Sequence, residues 1–215
     1  MKVEIWSDVV CPWCYVGKRR FEQALARFAH RDEVEVVWRS FELDPSAPSE
    51  PQPQLERLGT KYGVSREEAG QMNARVTGLA AELGLDYHLE KALSGSTFEA
   101  HQLLQLARVN GVQDALKEAL LQAYFVDGVA ISDRDALVDV AASVGLDPAE
   151  ARAALEEGRF IDSVRGDEEL ASQLGATGVP FFVLDRRYGV VGAQPPEALL
   201  GALERAWEAE QAVAS

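Results

Sequence analysis

A chain of 215 residues with 47% hydrophobic and 26% charged side chains has the composition of an ordinary globular protein, long enough to bury one sizeable core. Its formal net charge of -14 argues against a nucleic-acid backbone or an anionic membrane as partner, because an acidic surface repels both. No run reaches the ~18 apolar residues of a membrane span, and "MKVEIWSD" opens without an apolar signal segment, so cytoplasmic residence is expected.

Residues 3–7 alternate, Val3 and Ile5 against Glu4 and Ser7, and predict a strand. "DVVCPWCYVG" follows and holds both cysteines of the chain, Cys11 and Cys14. Pro12 suits the first turn of a helix, along which Phe21, Leu25 and Phe28 recur at helical spacing. "VEVVWRSFEL", residues 34–43, is β-branched and aromatic, and predicts a second, largely buried strand. "DPSAPSEPQPQ" breaks the pattern as a loop.

From about 54 to 175 the signals are helical. Ser65 with Glu68, and Ser96 with Glu99, have capping-box spacing, and Asp147-Pro148 followed by Glu150 starts a helix. Gly84, Gly111, Gly128, Gly145 and Gly175 sit where such helices would stop. The strand signal returns in "VPFFVLD", 179–185, and "YGVVG", 188–192, which flank a short hairpin. Pro195-Pro196 then opens an amphipathic helix with Leu199, Leu200, Leu203 and Trp207 on one face. The predicted order is β-α-β, a helical insertion, then β-β-α. It divides the chain into a discontinuous domain, 1–50 and 176–215, and an inserted helical subdomain, 51–175.

Two cysteines two residues apart in a reducing compartment point to redox chemistry rather than to a structural staple. A thiolate is the species that attacks a disulfide, so the first need is a lowered thiol pKa. Cys11 falls at the start of the predicted helix, where free N–H groups and the macrodipole favour negative charge. Thiols so placed ionise at roughly 3.5–7.5, against ~8.5 for free cysteine. Cys14, in the first turn, is placed to attack a mixed disulfide on Cys11. The roles are Cys11 as nucleophile and Cys14 as resolving thiol. A structural zinc site needs four ligands, and His30, His88 and His101 show no ligand spacing; neither a metal nor an organic cofactor is expected.

The order of elements, the CxxC at the first strand-to-helix turn and "GVPFFV" opening the third strand resemble the thioredoxin fold. The long helical insertion resembles its DsbA-like branch, and "SDVVCPWCYVG", "STFEAHQLL" and "GVPFFVLDRRYGVVGAQPPEALL" are similar to the FrnE-type oxidoreductases. The resemblance implies an α/β, thioredoxin-like fold with a large all-helical insertion between the second and third strands. It implies a thiol–disulfide oxidoreductase of reductase or isomerase type, acting on a disulfide-containing protein or a small thiol substrate. A low-molecular-weight thiol or a thioredoxin-type protein would recycle it.

By the same resemblance Pro180, which alone reads as a strand-edge proline, is cis and faces the thiols, and Val179 offers its backbone to an extended substrate. Pro12 and Trp13 set the redox poise. Trp13 lacks the charge of an imidazole, which implies a less acidic Cys11 and a less oxidising pair than in periplasmic DsbA; it also reads as an exposed platform or as packing. His101, on a helix expected to roof the thiols, and Asp8, three residues before Cys11, are the candidate proton shuttles, beside plain packing and capping readings. One departure concerns the buried acid that this fold carries six residues before the nucleophile: Ile5 stands there. Two rivals stand beside this reading. One is an isomerase or polyketide-tailoring enzyme of the hydroxychromene-carboxylate isomerase type; the other is a chaperone-like or metal-holding module.

Overall fold

The structure, a computed structural model, describes residues 1–214. A four-stranded sheet runs in the order β2-β1-β5-β6, where β1 is Lys2–Ser7, β2 Glu35–Ser40, β5 Phe181–Leu184 and β6 Tyr188–Val191. β1 lies parallel to β2, with Ile5 opposite Trp38, and antiparallel to β5, with Ile5 opposite Phe182. The crossover α1 (Pro12–Arg27) connects the parallel pair, as two parallel strands require. β5 and β6 form the hairpin, with Asp185 and Arg186 at positive φ in its turn, so the strand stops one residue before the end expected for it.

The expected first strand forms, and despite its alternation both of its faces are covered: Val3 to Ser7 are all buried. Val3 and Ile5 pack with Phe21, Phe182, Leu199 and Leu203 beneath α1 and the C-terminal helix α9 (Pro196–Ala214). On the other side Trp6 packs with Phe181, Val183 and Ala171, and its indole N–H donates to the Asp167 carbonyl at 2.7 Å. Glu4 is tolerated there because Arg39 and Arg186 bond its two oxygens; burial alone would raise its carboxyl, and these partners hold it below the usual range.

Between β2 and β5 the chain forms α2 (Gln54–Tyr62), α3 (Arg66–Ala81), α4 (Phe98–Val109), α5 (Gln113–Gln122), α6 (Arg134–Ser143), α7 (Pro148–Glu156) and α8 (Ile161–Gln173). The apolar stripes of α3 to α7 converge in one large cluster that also takes in Val9, Tyr15 and Val16, seating the insertion directly on the start of α1. The block is not wholly helical: β3 (Gln52–Pro53) pairs with β4 (Leu93–Ser94), tying its entry to its middle. The Ser65–Glu68 capping box forms, and Asp147 caps α7 through the Ala149 N–H. The expected Ser96–Glu99 box does not. Thr97 is the N-cap residue of α4, and Glu99 is drawn off to the Arg134 guanidinium. All five expected stop glycines lie at positive φ.

Candidate active site

The cysteines reach the end of the sheet because β1 stops at Ser7 and a tight turn follows, closed by the Cys11 N–H on the Asp8 carbonyl at 3.4 Å. Pro12 then opens α1, which leaves Cys11 as the N-cap residue, in extended backbone and with no side-chain cap bond. Its sulfur stands at the positive end of the helix, beside N–H groups that have no partner within it. Cys14 lies in the first turn, its N–H bonded to the Cys11 carbonyl at 3.0 Å.

The two free thiols have different surroundings. Both are buried, Cys11 3% and Cys14 1% exposed, but Cys11 lines a cavity of about 460 Å³ and Cys14 does not. Burial pushes the Cys14 thiol well above the usual range, and its hydrogen bond to Cys11 pushes it further. On its other side the Cys11 thiol donates to the Val179 carbonyl at 3.6 Å.

The Val179–Pro180 peptide bond is cis, as the resemblance implies, and Pro180 is buried against α1. Gly17 makes that approach possible: a Cβ there would lie 2.7 Å from Pro180 Cγ, well inside van der Waals contact. A glycine inside a helix costs about 1 kcal/mol relative to alanine, and the close approach of the proline loop accounts for it.

Behind the thiols lies a buried polar cluster. Asp8, 1% exposed, accepts the Val9 N–H at 2.7 Å on Oδ1 and the Leu43 N–H at 2.8 Å on Oδ2. His101 Nε2 sits 3.3 Å from Oδ1. Burial alone would raise this carboxyl; the His101 bond and charge, the Leu43 N–H and the charge of Lys117 outweigh it and hold it below the usual range. His101 is fully buried on α4, and its Nδ1 has no hydrogen-bond partner among the described residues. Ile5 occupies the position of the fold's usual acid and is packed among apolar side chains, so ionisable groups reach the pair from elsewhere.

Lys117 is one that sequence reasoning missed. It is 1% exposed on α5, with Nζ 3.4 Å from the Ser7 carbonyl and 5.6 Å from the centre of the Trp38 ring. Burial pulls its ammonium down to about 8, against the opposing attraction of Cys14, Asp8 and Cys11. A signal was present: in "QDALKEALLQ" Lys117 shares the i, i+3, i+4, i+7 stripe with Gln113, Leu116 and Leu120, a cation on an apolar face. Tyr87 was also missed. It stacks on Phe125 with ring centres 4.6 Å apart, and its hydroxyl donates to the Pro12 carbonyl at 2.8 Å, pinning the Cys11–Cys14 loop to the insertion.

The structure thus brings Cys11, Cys14, Pro12, Trp13, Asp8, His101, Val179 and Pro180 to one place. Trp13 is 41% exposed and lines the cavity. Among the described residues, no group of three or more His, Cys, Asp or Glu side chains could hold a metal ion. Among the same residues, no helix is long and apolar enough to cross a membrane.

Several solved structures are similar to this one. The "probable DsbA oxidoreductase SCO1869" of Streptomyces coelicolor is 52% identical, with 97% of this chain and 90% of that chain covered and a TM-score of 0.92. A 2-hydroxychromene-2-carboxylate isomerase shares the fold at 13% identity, over 100% of both chains, with a TM-score of 0.72. The cytosolic disulfide reductase DsbM of Pseudomonas aeruginosa, solved with GSH, shares it at 19% identity, over 97% of this chain and 100% of that one, with a TM-score of 0.67. The family model of the DSBA-like thioredoxin domain matches residues 2–204. With the mixed α/β fold, its helical insertion and the cysteine pair at the first helix, this chain belongs to the DsbA-like thioredoxin domain family.

Proposed function

We propose that the protein is a thiol–disulfide oxidoreductase that works in the net direction of reduction or isomerisation in a reducing, cytoplasmic environment. The observation that carries this reading is the asymmetry of the pair: Cys11 at the helix N-terminus on an open cavity, Cys14 buried behind it and held protonated. In the first step the Cys11 thiolate attacks one sulfur of the substrate disulfide. A mixed disulfide forms, and the other substrate sulfur leaves as a thiolate that takes up a proton. In the second step the Cys14 thiol gives up its proton and attacks Cys11 Sγ. The Cys11–Cys14 disulfide forms and the second substrate thiolate is released. A dithiol, or two equivalents of a low-molecular-weight thiol, then returns two electrons to the pair.

The protein's groups have distinct parts in this scheme. The N-terminus of α1 favours the Cys11 thiolate. Val179 offers backbone groups to an extended substrate, and Pro12, Trp13 and Pro180 shape the approach. Asp8 has both oxygens engaged in hydrogen bonds and acts mainly as a fixed charge that orients His101. Proton movement at Cys14 falls to His101, which keeps a free ring nitrogen, and to Lys117.

Insulin disulfide reduction with dithiothreitol tests the reading. The wild type is expected to accelerate reduction, Cys11→Ser to return the rate to background, and Cys14→Ser to accumulate mixed disulfide. No acceleration by the wild type, toward insulin or any small disulfide, would remove the proposal. The fold is shared with an isomerase as well as a reductase, so fold alone favours neither. An isomerase needs no resolving thiol, and an activity unaffected by Cys14→Ser would move the assignment there. Binding that survives loss of both cysteines, or zinc in the purified protein, would favour a holding module.

A further inference from the structure

The cavity beside Cys11 has a charge opposite to that of the molecule. The chain carries 35 acidic and 21 basic side chains, yet Arg57, Lys61 and Arg75 from α2 and α3 line this cavity, against the carboxylates Asp8 and Asp44. Asp8 is spent on Val9, Leu43 and His101, and Asp44 is spent on Arg57 and Ser46. Lys61 donates to the Leu43 carbonyl at 3.3 Å and stands 6.0 Å from the centre of the Tyr62 ring, with Asp44 near enough to feel its charge, and Arg75 has no carboxylate partner among the described residues. Neither Lys61 nor Arg75 is therefore held in an ion pair beside the thiol among the described residues. The apolar part of the wall is equally unusual: Trp13, Tyr62 and Met72, each at least 41% exposed, meet at this one cavity.

Exposed aromatic and thioether side chains next to unpaired cations suit a ligand with an apolar body and anionic ends. A volume of about 460 Å³ suits a small molecule rather than a folded domain. We propose that the preferred substrates are small disulfides bearing carboxylates or comparable anionic groups, held by Lys61 and Arg75 while Cys11 attacks the sulfur. The proposal rests on the thiol–disulfide reading and specifies its substrate class. The chemistry is the two-step exchange above: the leaving thiolate carries the anionic group, and a dithiol supplies the two electrons.

The test uses three small symmetrical disulfides of similar size, 3,3′-dithiodipropionate (anionic), bis(2-hydroxyethyl) disulfide (neutral) and cystamine (cationic), with dithiothreitol as reductant. Each kcat/KM is divided by the rate with dithiothreitol alone, which removes the intrinsic reactivity of the disulfide. The wild type is expected to favour the anionic over the cationic compound at least tenfold at low salt, chiefly through KM. That preference should shrink several-fold at ~0.3 M salt, where screening is strong. Lys61→Glu/Arg75→Glu should invert it, and Lys61→Gln/Arg75→Gln should abolish it. Equal ratios for the wild type, or a preference untouched by salt and by both variants, would overturn the proposal. So would reduction of insulin with none of the three small disulfides, an outcome that leaves the redox reading standing. No reduction of insulin or of any small disulfide would instead remove the redox reading itself.

Discussion

Two parts of the helical insertion meet the cysteine pair in different ways. α4 and α5 press inward: α4 buries His101 with Leu103, Leu104 and Leu106, and α5 buries Lys117 among leucines. α2 buries none of its residues, and its Arg57 and Lys61 line the cavity beside Cys11, bonded to Asp44 and to the Leu43 carbonyl. In the low-dielectric region ionisable groups act strongly on one another and on the thiols. Beside the cavity charges are more strongly screened. The contrast separates the proton chemistry proposed for the site from its proposed specificity, and each side can be perturbed alone.

The largest stability change is expected from Lys117. A fall from the ordinary 10.5 to about 8 corresponds to roughly 3 kcal/mol of unfavourable burial. Lys117→Met removes that cost, so the reduced protein should become more stable to urea at pH 7 by up to about that amount. The sign follows from linkage. With its folded pKa depressed, the native wild type binds fewer protons than the unfolded chain between about 8 and 10.5. Wild-type stability therefore rises relative to the variant across that window, and the advantage of Lys117→Met should vanish by its upper end. The same variant should slow release of the Cys11 mixed disulfide, because it removes a cation that favours the Cys14 thiolate. A gain in stability with no dependence on pH would show that Lys117 is packing alone.

A smaller effect is expected where α1 meets the proline loop. Gly17→Ala places a methyl 2.7 Å from Pro180 Cγ, and neither a rigid ring nor a helix backbone yields easily. The overpacking should cost about 1–3 kcal/mol, although alanine is otherwise the better helix former. Thermal unfolding and the rate of Cys11 alkylation would both register it. A variant at least as stable as the wild type would mean that the loop gives way without penalty.

The smallest change concerns the tie between the insertion and the loop that carries the cysteines. Tyr87→Phe deletes the hydroxyl that holds the Pro12 carbonyl and should cost about 1 kcal/mol, or about 2–4 °C in Tm. Hydrogen exchange should rise first in the Cys11–Cys14 loop if that bond joins the loop to the insertion. An increase spread evenly over the chain would show a general packing defect instead.

Much of the architecture was legible because it rests on local rules. Pro12 at a helix start, the Ser65–Glu68 box, the Asp147 cap and the glycines at positive φ act over a few residues, and each stands where the pattern put it. The Ser96–Glu99 box failed because a long-range partner, Arg134, competed for Glu99. The face of β1 that carries Glu4 and Trp6 is buried because α8 covers it, and Glu4 is neutralised by arginines 35 and 182 residues away in sequence. The β3–β4 pair spans two residues on each strand, too few for any periodicity.

The sequence by itself determined where the two sulfurs are, because a CxxC with Pro12 at the first helical position places them at a helix start through local backbone geometry. Only the tertiary structure decided what surrounds them. Lys117, Tyr87 and the cations of α2 and α3 come from a segment tens of residues distant, and they act through space over a few ångströms. Electrostatic coupling depends on distance and burial, and neither is written in local spacing.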